Sequence, residues 1–150
     1  MKKKAKRIAE RMRNASFETE ERSSLERLSL YTDGSCKSGI GGCAWIVEQN
    51  GIILKIGKKR IAGHCDSSVR AELLGIMQGL KECPKNSFVD VFSDCQAAIG
   101  KITAGKLGDL DAIYNKVSCS KTIRYHWVKA HSNNVYNEMA DSLSFSVLKP

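Results

Sequence analysis

Residues 28–61 read LSLYTDGSCKSGIGGCAWIVEQNGIILKIGKKRI, and their pattern decides the architecture. Leu28, Leu30 and Thr32 alternate with Ser29, Tyr31 and Asp33, the period of two that marks a strand with one buried face. The alternation predicts a first strand ending near Asp33-Gly34. The glycine-rich stretch GSCKSGIGG, residues 34–42, reads as the connection to a second strand, CAWIVEQ at 43–49. Asn50-Gly51 is a favoured two-residue hairpin pair, because both positions need positive φ. Residues 52–61 then form a third strand, and three successive strands joined by tight turns make an antiparallel meander.

Outward from this meander the period lengthens. Val69, Leu73, Ile76 and Leu80 recur at helical spacing between Ser67 and Glu82, Leu74 and Met77 widen the stripe, and Pro84 ends it. SFVDVFSD (87–94) predicts a fourth, buried strand. Residues 94–102 read as a short helix capped by Asp94, and residues 109–118 as another after a turn bracketed by Gly105 and Gly108. TIRYHWVK (122–129) is a fifth strand, 130–136 a loop and 137–148 a closing helix. The order βββαβααβα predicts an α/β fold: a mixed five-stranded sheet flanked by helices, since long crossovers require parallel neighbours.

The chain of 150 residues carries 24 Lys or Arg against 16 Asp or Glu, a net charge of +8, and its length fits one domain. Residues 1–27 read as a basic, polar arm and residues 28–150 as the folded domain. Ala5, Ile8, Ala9 and Met12 give the arm only a thin helical stripe. Its first 13 residues hold seven positive charges against Glu10, which suits a phosphate-seeking arm or a plain solubilising tail. No segment is apolar enough for a secretory signal or a bilayer span, so the expectation is an intracellular, cytoplasmic protein with no membrane partner. Mitochondrial and nuclear placement stay open, although Glu10, Glu18, Glu20, Glu21 and Glu26 depart from the acid-poor pattern of mitochondrial targeting. Cys36, Cys43, Cys65, Cys83, Cys95 and Cys119 contain no CxxC pair, and His64, His126 and His131 add no zinc spacing. Reduced thiols and no structural zinc are expected.

Four acids stand where a core would exclude them. Asp33 ends the first strand and Asp94 the fourth; Glu72 lies within the apolar stripe of the first long helix; Asp141 lies one turn after Asn137 on the last. Each has an innocent reading taken singly: a turn, a helix cap, a solvated helix position. If strands one and four are parallel neighbours, Asp33 and Asp94 emerge at one carboxyl-end crevice. Four carboxylates meeting there would repel each other unless cations neutralised them, and hard oxygen ligands suit Mg²⁺ or Mn²⁺. Outside this group, residues 29–150 hold fifteen basic side chains and seven acids. A basic body around an acidic pocket suits a polyanionic substrate.

YTDGSC at 31–36, RAEL at 70–73, FSD at 92–94, and WVKAHS with NEMAD between 127 and 141, in this order and with these intervals, resemble the type 1 ribonuclease H family over about residues 28–148. The resemblance implies an endonuclease that hydrolyses the RNA strand of RNA–DNA hybrids by two-metal-ion catalysis. It implies 5′-phosphate and 3′-hydroxyl ends and little dependence on base sequence. Two Mg²⁺ ions would bind with substrate, with Mn²⁺ as an alternative, and the enzyme would act as a monomer. By position, Asp33, Glu72, Asp94 and Asp141 match metal-binding catalytic carboxylates, and His131 matches a proton-shuttling histidine. Asn137 matches an asparagine supporting the last ligand, and Glu138 the acid beside it. Gly34, Ser35 and Cys36 match a segment lining the RNA strand, and Ser67 a hydroxyl on a DNA phosphate. Ser68 and Val69 stand where the family often places amide side chains in the minor groove. The rival readings are another acid-cluster nuclease, such as an integrase or junction resolvase, and a non-catalytic nucleic-acid-binding module.

Overall fold

The computed structural model describes residues 2–12 and 27–149. Residues 2–12 form helix α1, all of it exposed, with Ile8 and Met12 uncovered; the rest of the basic arm lies outside the described residues. The folded part runs β1 (Arg27–Lys37), β2 (Ile40–Gln49), β3 (Ile52–Arg60), α2 (Ser68–Glu82), β4 (Phe88–Ser93), α3 (Gln96–Thr103), a 3₁₀ turn (Gly108–Leu110), α4 (Asp111–Ser118), β5 (Thr122–Trp127) and α5 (Val135–Ser146). The strands form one mixed sheet in the order β3-β2-β1-β4-β5. β2 is antiparallel to both β1 and β3, while β1, β4 and β5 run parallel. The fold class, element order and parallel pairing of the first and fourth strands are therefore as the sequence predicts.

The first hairpin is not. β1 does not end at Asp33 but continues to Lys37, and the turn is Ser38-Gly39 alone, with φ of 54° and 79°. The neighbouring glycines serve close packing rather than turning. A Cβ on Gly41 would lie 2.8 Å from Cys65 Sγ, and one on Gly42 2.7 Å from the Ser144 carbonyl oxygen. Asn50-Gly51 does form the expected tight turn, at φ 52° and 81°. Two helix starts also differ. α3 begins after Cys95 with no side-chain cap, so Asp94 does not cap it. α5 begins at Val135, two residues early, because the Asn134 side chain accepts the Asn137 N–H at 3.0 Å.

α2 forms because its apolar positions share one face and Ser67 caps it, its hydroxyl accepting the Arg70 N–H at 3.2 Å. It ends at Cys83, whose extended backbone leads into Pro84. Ile76 and Leu80, both fully buried, pack on Leu30 and Val91 of the sheet. Each such side chain stabilises the fold by about 1.5–3 kcal/mol. Glycines let α2 come unusually near β1. A Cβ on Gly75 would stand 2.9 Å from the Asp33 carbonyl oxygen, and one on Gly34 would stand 2.3 Å from the Ala71 carbonyl carbon. α5 covers the other sheet face over β1 and β2, where Tyr31, Ile46 and Ala140 make a smaller core.

Candidate active site

β1 carries Asp33 beyond its last pairing with β4, Tyr31 opposite Phe92. There only β2 flanks it, with Ala44 opposite Asp33, and the other edge opens onto the crevice at the carboxyl end of β4. That is where open α/β sheets bind ligands. The close seat of α2 places Glu72 beside Asp33, both buried, at 7% and 3% exposure. Asp94 follows directly on β4, and the Trp127 Nε1–H donates to its backbone carbonyl at 3.1 Å. One carboxylate oxygen from each of Asp33, Glu72 and Asp94 lies within 4.8 Å of the other two.

Burial dominates the electrostatics of this cluster. It pushes the Glu72 carboxyl up to about 10, helped by the charges of Asp33 and Asp94 and opposed by the Gly34 backbone N–H. It pushes Asp33 up to about 7; a hydrogen bond from Ser144 opposes the rise, and the charges of Asp94 and Asp141 add to it. Asp94 is raised by burial and by Asp141, against a hydrogen bond from Asn137 and the influence of His131. Glu72 Oε2 is buried with no hydrogen-bond partner among the described residues. A water-excluded carboxylate oxygen turned to no donor, in a set of three hard oxygen ligands, fits a divalent cation.

The other expected residues fall around this cluster at different distances. Asp141 on α5 is half-buried and stands outside the close set of three, though its charge raises both Asp33 and Asp94. His131 is exposed in the loop before α5, at φ 54°. Asn137 is buried at 2% beside Asp94, its Oδ1 without a hydrogen-bond partner among the described residues, whereas Glu138 is exposed. The Ser35 and Ser144 hydroxyls are 2.9 Å apart, and Cys36 Sγ meets the Cys65 carbonyl at 3.0 Å. Ser67 is the α2 cap, Ser68 is exposed beside it, and Val69 packs on the core. A separate groove of about 640 Å³ between α2 and α4, lined by Leu74, Lys81 and Lys116 among others, contains none of these acids.

One site residue escapes the sequence reading. Ser144 is fully buried and donates to Asp33 Oδ2; its single proton thus committed, Ser35 must be the donor in their shared bond. The signal lay in the spacing of Asn137, Ala140 and Ser144, which share the buried face of α5. That face is largely polar, so apolar periodicity does not reveal it. Phe145, the apolar residue one turn beyond Asp141, is 51% exposed.

Residues 25–148 match the RNase H family model. A ribonuclease H from Ehrlichia ruminantium is 31% identical, over 81% of this chain and 94% of its own length. One from Marinobacter nauticus is 28% identical, over 79% and 91%. Among solved structures, an RNase H from the halophilic archaeon Halobacterium salinarum superposes with a TM-score of 0.68 at 18% identity, covering 81% of this chain and 97% of that one. The N-terminal RNase H domain of a Mycobacterium tuberculosis protein gives 0.65 at 18% identity, covering 81% and 95%. These last two speak for the fold alone. With the family model spanning β1 through α5, the chain belongs to the RNase H family: it is a hydrolase, a ribonuclease H acting on the RNA of RNA–DNA hybrids.

Proposed function

We propose that this chain cuts the RNA strand of the hybrid endonucleolytically, with little regard to base sequence, and leaves 5′-phosphate and 3′-hydroxyl ends. The observation that carries the proposal is the buried trio Asp33, Glu72 and Asp94 with the orphaned Glu72 Oε2. Asp33, Glu72, Asp94 and Asp141 would hold two Mg²⁺ ions, or Mn²⁺ in their place. Bound there, such ions supply positive charge to the attacking and departing oxygens of a phosphoryl transfer. The chain's own residues do the rest. Ser144 and the Gly34 N–H fix the rotamers of Asp33 and Glu72, and Asn137 fixes Asp94.

His131, on its exposed loop, would carry a proton between the crevice and solvent. Gly34, Ser35 and Cys36 line the RNA side, and the Ser67 hydroxyl, accepting from Arg70 N–H, keeps its proton free for a phosphate oxygen. Ser68 offers a short hydroxyl and Val69 none, so minor-groove reading of 2′-hydroxyls rests on fewer side-chain contacts than amides would give. Residues 28–150 make up the catalytic unit, which acts as a monomer in the cytoplasm. The arm before it adds sequence-independent attraction for the hybrid.

A substrate panel tests this reading: hybrid, duplex RNA, duplex DNA and each single strand, incubated with and without Mg²⁺. Cutting confined to the RNA of the hybrid and dependent on Mg²⁺ is expected, with end-labelling showing 5′-phosphate. Binding without cutting would instead favour the non-catalytic module, and cutting of duplex DNA the integrase or resolvase type.

A further inference from the structure

Among the described residues, the sheet face that α5 covers is only partly covered. α5 packs on β1, β2 and the adjoining part of β3. Over β4 and the edge strand β5 the same face carries Phe88, Asp90 and Phe92 on alternate positions of β4, with Asp94 just past its end, and Arg124 opposite Asp90 and His126 opposite Phe92 on β5. We propose that this strip, running from Asp94 down to Asp90, which α5 reaches at Phe92 and which turns Arg27, Arg124 and His126 to solvent, binds a single-stranded stretch of nucleic acid continuous with the hybrid being cut.

Two features of the strip are unexplained by stability alone. The first is charge. Asp90, only 7% exposed, is met by Arg27 Nε at 2.6 Å, Arg124 Nε at 3.3 Å and His126 Nε2 at 2.8 Å. One arginine would neutralise it; the second leaves the cluster positive. Both guanidinium groups approach through Nε, and neither makes another hydrogen bond or ion pair among the described residues. Their side chains are 51% and 59% exposed, which suits forked contacts to phosphate oxygens.

The second feature is a stack of flat rings. Tyr31 lies on Phe92 at 4.7 Å and 13°, and Phe92 on His126 at 4.9 Å and 20°. The stack runs from the buried Tyr31 outward to His126 on the edge strand, where Asp90 holds the imidazole in place. A fixed ring ending such a stack at a sheet edge is a platform for a base, and cations beside it would track the backbone. Base faces are hidden in a duplex and free in a single strand, so the arrangement favours the latter. The strip between Asp94 and Asp90 is roughly 13 Å long and ends at the acidic cluster. Its continuity with cleavage rests on the proposed function above; its binding of single strands does not.

The test uses the full chain in EDTA, with fluorescence anisotropy of a labelled single-stranded oligonucleotide, RNA in one arm and DNA in the other. Arg124→Ser leaves Asp90 with Arg27 and His126; His126→Ala leaves it with both arginines. Each should raise Kd at least about threefold, and Arg124→Ser should flatten the salt dependence by about one phosphate contact. With Mg²⁺, hybrids carrying a single-stranded extension at either end are compared with blunt ones. The wild type should show a lower KM for one extended form, and Arg124→Ser should erase that preference while leaving the blunt KM alone. Unchanged Kd in both variants, or equal KM for extended and blunt hybrids, overturns the proposal. If no hybrid is cut but single-strand binding falls in both variants, the cleavage reading fails and the binding strip stands.

Discussion

Glu72→Gln should stabilise the cation-free protein at alkaline pH while abolishing its activity. The Glu72 carboxyl is raised from 4.5 to about 10, first by burial and then by the charges of Asp33 and Asp94. A carboxyl raised in this way binds its proton more tightly folded than unfolded. Stability is therefore greatest below the unfolded value and is lost as pH climbs towards the folded one. At about 1.4 kcal/mol per unit, the roughly 3.5 units between the unfolded value and pH 8 amount to about 5 kcal/mol, which relaxation and water penetration cut to about half. Gln carries no such cost, and its carbonyl can still accept the Gly34 N–H. The expected gain is about 2–3 kcal/mol near pH 8, or about 5–10 °C in Tm, shrinking to under about 0.5 kcal/mol near pH 5. Thermal melts by circular dichroism in EDTA at the two pH values measure it. Added Mg²⁺ should raise the wild type more than the variant, because the variant lacks one ligand charge. Equal Tm values for the two proteins in EDTA near pH 8 would refute the account of Glu72 as a strained, cation-demanding carboxyl.

The remaining predictions concern turnover, packing and substrate capture. Asp94→Asn should lower kcat by about 10³ with the far-ultraviolet spectrum unchanged, since it removes charge from the crevice and no cap from α3. His131→Ala should cost about 10²-fold in kcat and shift the pH–rate profile, because water replaces a shuttle only in part; a profile identical to wild type would discard that role. Gly34→Ala should destabilise the protein by about 3 kcal/mol in denaturant melts, as the new methyl meets α2 backbone rather than a yielding side chain. Deleting residues 1–24, which spares Arg27 and its bond to Asp90, should raise KM about three- to tenfold at low salt and flatten its salt dependence.

Much of the fold was legible because its signals are local. The Asn50-Gly51 turn and the α2 stripe each depend on a few adjacent residues, and both form as expected. The first hairpin departs from the expectation for a physical reason: glycine marks turns and close approaches alike, and only the folded chain shows that Gly41 and Gly42 face Cys65 and Ser144. The acids were visible as polar residues in apolar surroundings, but the tight grouping of three, with Asp141 outside it, depends on how far β1 overshoots β4. Ser144 was invisible because a serine on a half-polar helix face carries no pattern until its partner, Asp33, is 111 residues away in sequence and adjacent in space. The sequence spreads its charge excess over a basic body and a basic arm, yet Asp90 gathers Arg124 of the body and Arg27, the last residue assigned to the arm, at one spot through a strand register no linear pattern encodes.

Because Gly34 and Gly75 let main chain rest directly on main chain, the gap between the carboxylates on β1 and α2 is set by hard backbone contact and not by any compressible layer of side chains. A gauge built that way does not drift when the surrounding core is repacked. Retuning the site for an ion of another radius would therefore demand moving the helix itself.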